Sequence, residues 1–103
     1  MGEASLTLDR TVQPHPDVVD TRLEQGETVL LHMKNIAYYS LNATGSRIWE
    51  GLKQELTLQE ISGCLQQEFS VQEEQANRSV LSLIEQFCAE HLVIEKGTDQ
   101  AEG

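Results

Sequence analysis

The side chains that carry chemistry in this chain are few and dispersed. Its imidazoles are His15, His32 and His91. A metal site or a nucleophile and base pair needs such groups at close, regular spacing. Here they fall on an N-terminal tail, a strand-like run and a helix end, so each reads as a surface or helix-terminal histidine. Asp17 and Asp20 are lone carboxylates in an acidic chain and read as solvated. Cys64 and Cys88 form no CxxC pair; in a reducing compartment they read as small buried apolar residues, with a disulfide as the lesser alternative. No glycine-rich loop is present to cradle a phosphate. The residues therefore predict no catalytic group, no metal and no cofactor, which leaves binding chemistry. Trp49, between Ile48 and Leu52, reads as core. In a strand Tyr38 and Tyr39 point to opposite faces, one ring structural and the other open to two readings, ligand pocket or plain surface.

Composition narrows the partners. Seven basic against seventeen acidic residues give a formal charge of −10, which repels nucleic-acid phosphates and disfavours anionic membranes. Such a surface keeps a small protein soluble and steers neutral or basic peptides toward it. With 103 residues the chain has room for one core. No run approaches the roughly 20 apolar residues of a membrane span, and no basic segment precedes an apolar one at the N-terminus. The expected location is the cytoplasm. Apolar residues concentrate between Val18 and Ile94, so residues 1–16 and 96–103 are expected to be flexible tails around a domain of residues 17–95.

The elements that must position any site follow from periodicity. Residues 18–24 are β-branched and partly alternating, and residues 25–27 supply a turn before residues 28–33, which makes a β-hairpin. Lys34 and Asn35 give a second turn, and residues 36–41 resume with aromatic and branched side chains. Asn42 caps a short helix carrying Ile48, Trp49 and Leu52. Thr57 and Glu60 form a capping box for a second helix with Leu58, Ile61, Leu65 and Phe69 on one face. Ser70, with Glu73 three residues on, is expected to cap a third and longest helix, whose stripe runs through Ala76, Val80, Leu83, Ile84 and Phe87. Residues 91–95 either add a short C-terminal strand or pack Leu92 and Ile94. The fold class is α+β, a three-stranded antiparallel sheet followed by three helices.

Tyr38-Tyr39-Ser40-Leu41-Asn42-Ala43-Thr44-Gly45, followed by Ile48-Trp49, resembles the signature of the PqqD-like family, the recognition elements for ribosomally made precursor peptides. Thr57-Leu58-Gln59-Glu60-Ile61 resembles the family's entry to its second helix. Val80-Leu81-Ser82-Leu83-Ile84 and Leu92-Val93 resemble its third helix and C-terminal ending. The family often has Gly just before its Tyr-Tyr segment, where Ile36 and Ala37 stand here, Asp where Ser79 stands, and Gly where His91 stands.

The resemblance implies a winged-helix-like domain that binds a precursor's leader peptide without chemistry of its own. The leader would add as a strand beside Ala37, Tyr38, Tyr39, Ser40 and Leu41 and lie against the third helix. An exposed strand edge binds any backbone, while neighbouring pockets select side chains. On the third helix Asn77, Arg78, Leu81 and Glu85, off the core stripe, are expected to border the groove, with Arg78 as the charge contact for an acidic leader residue. The Tyr-Tyr pair resembles the stand-alone proteins of lasso-peptide pathways, which work with a leader peptidase and a ring-forming synthetase. The other branch presents a peptide to a radical SAM enzyme in PQQ cofactor biosynthesis.

Two rivals belong to other classes. Three helices with short turns also suit a DNA-reading helix-turn-helix, but the third helix has Arg78 amid Glu73, Glu74, Glu85 and Glu90, which opposes it. A structural or dimerising module is the runner-up, since an unfilled sheet edge also pairs with a second copy of itself.

Overall fold

A computed structural model of the chain describes residues 11–96. Strands β1 (Thr11–Pro14), β2 (Val18–Arg22), β3 (Thr28–His32) and β4 (Ala37–Leu41) precede helices α1 (Ala43–Lys53), α2 (Leu58–Phe69) and α3 (Glu73–Ala89), and strand β5 (Val93–Lys96) closes the order. The antiparallel meander β2-β3-β4 and the three helices stand where periodicity puts them, and β5 takes the strand option for the C-terminal run.

One expectation is corrected at the N-terminal side. Thr11–Pro14 is a strand paired antiparallel with β5, Thr11 opposite Lys96 and Pro14 opposite Val93, so the stretch from residue 11 is no tail. Val12 is fully buried, and the His15 N–H donates to the Leu92 carbonyl at 2.8 Å. The partner of this four-residue strand lies at the far end of the chain, where no local pattern can announce it. Residues 1–10 and 97–103 of the expected tails lie outside the described residues.

Alternation on the sheet sets its two faces. Leu30 and Leu41 point at the helices and are buried with Thr28 and His32, whereas Val19 and Tyr38 are exposed on the opposite face. Ile48, Trp49 and Leu52 of α1, Leu58, Ile61 and Leu65 of α2, and Ala76, Val80, Ile84 and Phe87 of α3 complete the core. The Trp49 ring meets the Phe87 ring edge-on, at 86° with centroids 5.4 Å apart, a favoured aromatic geometry. Asp20 and Arg22 of β2 reach α1 through Lys53 at 2.8 Å and Glu50 at 3.5 Å.

Local chemistry explains the helix ends. The Asn42 side chain accepts from the Gly45 N–H at 2.9 Å. The Thr57 hydroxyl accepts from the Glu60 N–H at 3.1 Å, and the Glu60 carboxylate accepts from the Thr57 N–H at 2.9 Å, which completes the capping box. Ser70 does not cap α3: it takes a left-handed conformation (φ 55°) as the C-cap of α2, and Gln72 is the N-cap of α3 without a side-chain bond. The chain spends Ser70 on leaving one helix, so it is not free to start the next. Cys88 is exposed and Cys64 half-buried, against the expectation that both are core. Cys88 falls off the stripe through Val80, Ile84 and Phe87.

Candidate functional site

Two bonds fix which atoms of β4 face outward. The Leu23 N–H donates to the Glu27 carbonyl at 2.7 Å, and the Met33 N–H donates to the Asp17 carbonyl at 2.8 Å. They close both ends of the β2–β3 ladder, and opposed residues in an antiparallel ladder alternate between bonded and non-bonded pairs. Counting inward from either end, Val29 and Leu31 bond to β2, so Thr28, Leu30 and His32 bond to β4. Their partners Leu41, Tyr39 and Ala37 are then the bonded residues of β4. Tyr38 and Ser40 are left with N–H and C=O groups directed to the open side, and β4 is an edge of its sheet.

Helix α3 runs beside this edge. Between them is a cleft of about 140 Å³ lined by Tyr39, Ser40, Leu41, Leu83, Gln86, Phe87, Glu90 and Leu92. Leu83 and Gln86 also line a second cleft of about 210 Å³, shared with Ser79 and Ser82 of α3 and with Asn42, Thr44, Gly45 and Ile48 at the start of α1. The two share Leu83 and Gln86 as a wall and follow one another along α3, from the start of α1 to β4, as a single trough. Its floor is apolar and its rim polar, the combination that suits small apolar side chains on an extended backbone.

The trough has one cross-strut. The Tyr39 hydroxyl donates to the Glu90 carboxylate at 2.9 Å, joining β4 to the end of α3. That bond, then desolvation and the nearby negative charge, raise the Tyr39 phenol above its ordinary pKa. Tyr39 therefore stays a neutral donor across the physiological range.

Of the residues that the sequence nominates, the fold brings together Ala37, Tyr38, Tyr39, Ser40 and Leu41, with Tyr39 and Leu41 turned inward and Tyr38 and Ser40 outward as alternation requires. The four on α3 are not brought to this edge. Asn77 is hydrogen-bonded to the Ser62 hydroxyl of α2, Leu81 packs on the core, and Arg78 is held by Glu74 at 3.3 Å. Glu85 is exposed and lines neither cleft. The residues of α3 that line the cleft with β4 are Leu83, Gln86 and Phe87, with Glu90 just past its end, while Ser79 and Ser82 face the start of α1. Leu83 and Phe87 belong to the core stripe, and Ser79, Ser82 and Gln86 sit on its other flank. Helical periodicity identifies the stripe, but the two flanks are equivalent until the handedness of packing fixes which one meets the sheet.

Comparison with known proteins agrees with this architecture. The PqqD family, described as coenzyme PQQ synthesis protein D, matches residues 27–93. No curated protein matches the chain. Among solved structures, TbiB1 in complex with the TbiA(beta) leader peptide is 27% identical, with a TM-score of 0.74 over 85% of this chain and 99% of that one. Lasso peptide synthetase B1 complexed with the leader peptide has the same TM-score of 0.74 at 20% identity, over 81% of this chain and 96% of that one; this second likeness speaks of the fold.

Proposed function

The chain belongs to the PqqD family, and we propose that it binds the leader segment of a ribosomally made precursor peptide as an added strand on β4, without making or breaking a bond itself. The observation that carries this reading is the open β4 edge, with the main-chain groups of Tyr38 and Ser40 directed outward beside an apolar cleft. The backbone of an extended peptide satisfies those groups whatever its sequence. Peptide residues that project inward meet Leu83, Phe87 and Leu92, which sets an apolar preference at alternate positions.

The likeness to TbiB1, a protein solved with a leader peptide, supports leader binding, and the Tyr38-Tyr39 pair favours the lasso-peptide branch over the PQQ branch. On that branch the cargo passes to a leader peptidase and a ring-forming synthetase in the cytoplasm. No helix of the described residues is long and apolar enough to cross a membrane.

The test is a titration of the ¹⁵N-labelled chain with a synthetic peptide spanning the leader of the precursor encoded beside its gene. Saturable shifts of the Tyr38 and Ser40 amides, with slowed hydrogen exchange at both, are expected. If the leader leaves these amides unmoved, with or without the partner enzymes, strand addition is wrong.

A further inference from the structure

His15, His32 and His91, which the sequence scatters over a tail, a strand and a helix end, are gathered by the fold around one pocket of about 330 Å³ together with Lys34. The end of β1 brings His15, the end of β3 brings His32, and the turn between α3 and β5 brings His91. The rings of His15 and His32 lie 5.1 Å apart, tilted by 41°. The Asp17 N–H donates to His15 Nδ1 at 3.0 Å. That nitrogen is thereby an acceptor, and the other ring nitrogen is the donor. His32 is 2% exposed, and its Nδ1 has no hydrogen-bond partner. A buried polar nitrogen of this kind is costly until a ligand or water meets it.

His91 is positioned by a turn. The Leu92 N–H donates to the Phe87 carbonyl at 2.8 Å and the His91 N–H to the Cys88 carbonyl at 3.1 Å, a Schellman turn with His91 at φ 60°. Glycine is the usual occupant of that position. Histidine is among the side chains that tolerate it, and the turn sets the His91 imidazole at the pocket wall.

Charge selects the ligand. Arg22, Arg47, Lys53 and Arg78 are committed to Glu50, Glu68, Asp20 and Glu74, whereas Lys34 is in no ion pair among the described residues. No group of three His, Cys, Asp or Glu side chains among these residues is placed to hold a metal ion. The Lys34 ammonium supplies the charge and the other ring N–H of His15 a donor, which together suit an anion. The pocket also continues the peptide edge: His32 pairs with Ala37, the first residue of β4, and His91 and Val93 neighbour Glu90 and Leu92 of the cleft.

We infer that this pocket is a carboxylate subsite, which takes an acidic side chain of the bound peptide where the peptide runs on past the Ala37 end of β4. The identity of the occupant rests on the strand-addition reading; the carboxylate chemistry does not.

Two arms separate them. In the first, imidazole resonances of the whole chain are followed during titration with N-acetyl-aspartate amide, with N-acetyl-asparagine amide as the uncharged control. Saturable shifts of His15, His32 and His91 with the acid alone, lost in Lys34→Ala, are expected; equal responses to acid and amide overturn the subsite. In the second, each acidic residue of the leader peptide is changed to its amide. One such change should weaken binding about tenfold in the unmodified protein but much less in Lys34→Ala, whose exposed side chain is not needed for folding. If the leader shifts Tyr38 and Ser40 but no acidic residue is coupled to Lys34, the peptide occupant is wrong and strand addition stands. If the leader does not bind at all, strand addition fails and the first arm alone decides the pocket.

Discussion

Gly51 and Gly63 both lie inside helices, yet their surroundings predict opposite responses to the same methyl group. A Cβ on Gly51 would stand 2.6 Å from Cγ1 of Ile61, and a Cβ on Gly63 meets nothing within 4 Å. Ile61 is buried and cannot swing away. Gly51→Ala should therefore cost about 1–3 kcal/mol of stability through overpacking of α1 on α2, more than alanine's helical preference returns. Gly63→Ala keeps that preference and should stabilise by about 0.5–1 kcal/mol. Urea midpoints of the two variants check the signs. A second residue-scale prediction concerns Tyr39. Its neutral phenol donates to Glu90, so ionisation loses the bond and sets two negative charges together, which raises its pKa. The folded chain holds this proton to higher pH than the unfolded chain does. The stabilisation is accordingly complete below the ordinary phenol range and is lost as pH rises through the raised value. Glu90→Gln should return Tyr39 toward the ordinary value, followed by its ring-carbon shift against pH; an unchanged titration would show that the strut does not form in solution.

At the scale of an element, β4 can be cut in two ways that the register tells apart. The Ser40 N–H points to the open side, so Ser40→Pro removes no ladder bond, and prolines are tolerated on edge strands. Its urea midpoint should correspond to a loss within about 1 kcal/mol, while leader binding falls at least tenfold because the incoming strand loses its donor and meets the ring. The Tyr39 N–H bonds to Leu30 across the ladder, and Tyr39→Pro should lose about 3 kcal/mol or more of stability. If Ser40→Pro unfolds the chain instead, the register is off by one. Most of these elements were legible beforehand: β-branched runs marked β2, β3 and β4, the Asn42 cap marked α1, and the Thr57–Glu60 box marked α2. The groove wall was not. Asn77, Arg78, Leu81 and Glu85 lie off the core stripe as truly as Ser79, Ser82 and Gln86 do, and only the packing of α3 on its neighbours breaks that tie.

For the whole molecule, the pairing of β1 with β5 matters most, because it joins positions 11 and 96 and closes the core on the side of α1. It also builds the histidine pocket, since His15 follows β1 and His91 precedes β5. None of this was legible locally: residues 11–14 offer one buried position, Val12, and a proline, and a contact spanning most of the chain leaves no trace in neighbouring residues. The arrangement does predict a separation of stability from binding. Val12→Ala removes two methyl groups from a fully buried site and should cost about 2 kcal/mol. The β4 edge belongs to the other sheet, and Val12 lines neither the β4 cleft nor the histidine pocket, so the loss is expected in stability rather than in contacts to the peptide. Under conditions where the variant is still folded, its affinity for the leader should stay within about twofold of the unmodified protein. A calorimetric titration beside a thermal melt makes the comparison. A lowered melting temperature with unchanged affinity places β1 in the scaffold, whereas a parallel loss of affinity would mean that the terminal ladder and the peptide edge move as one.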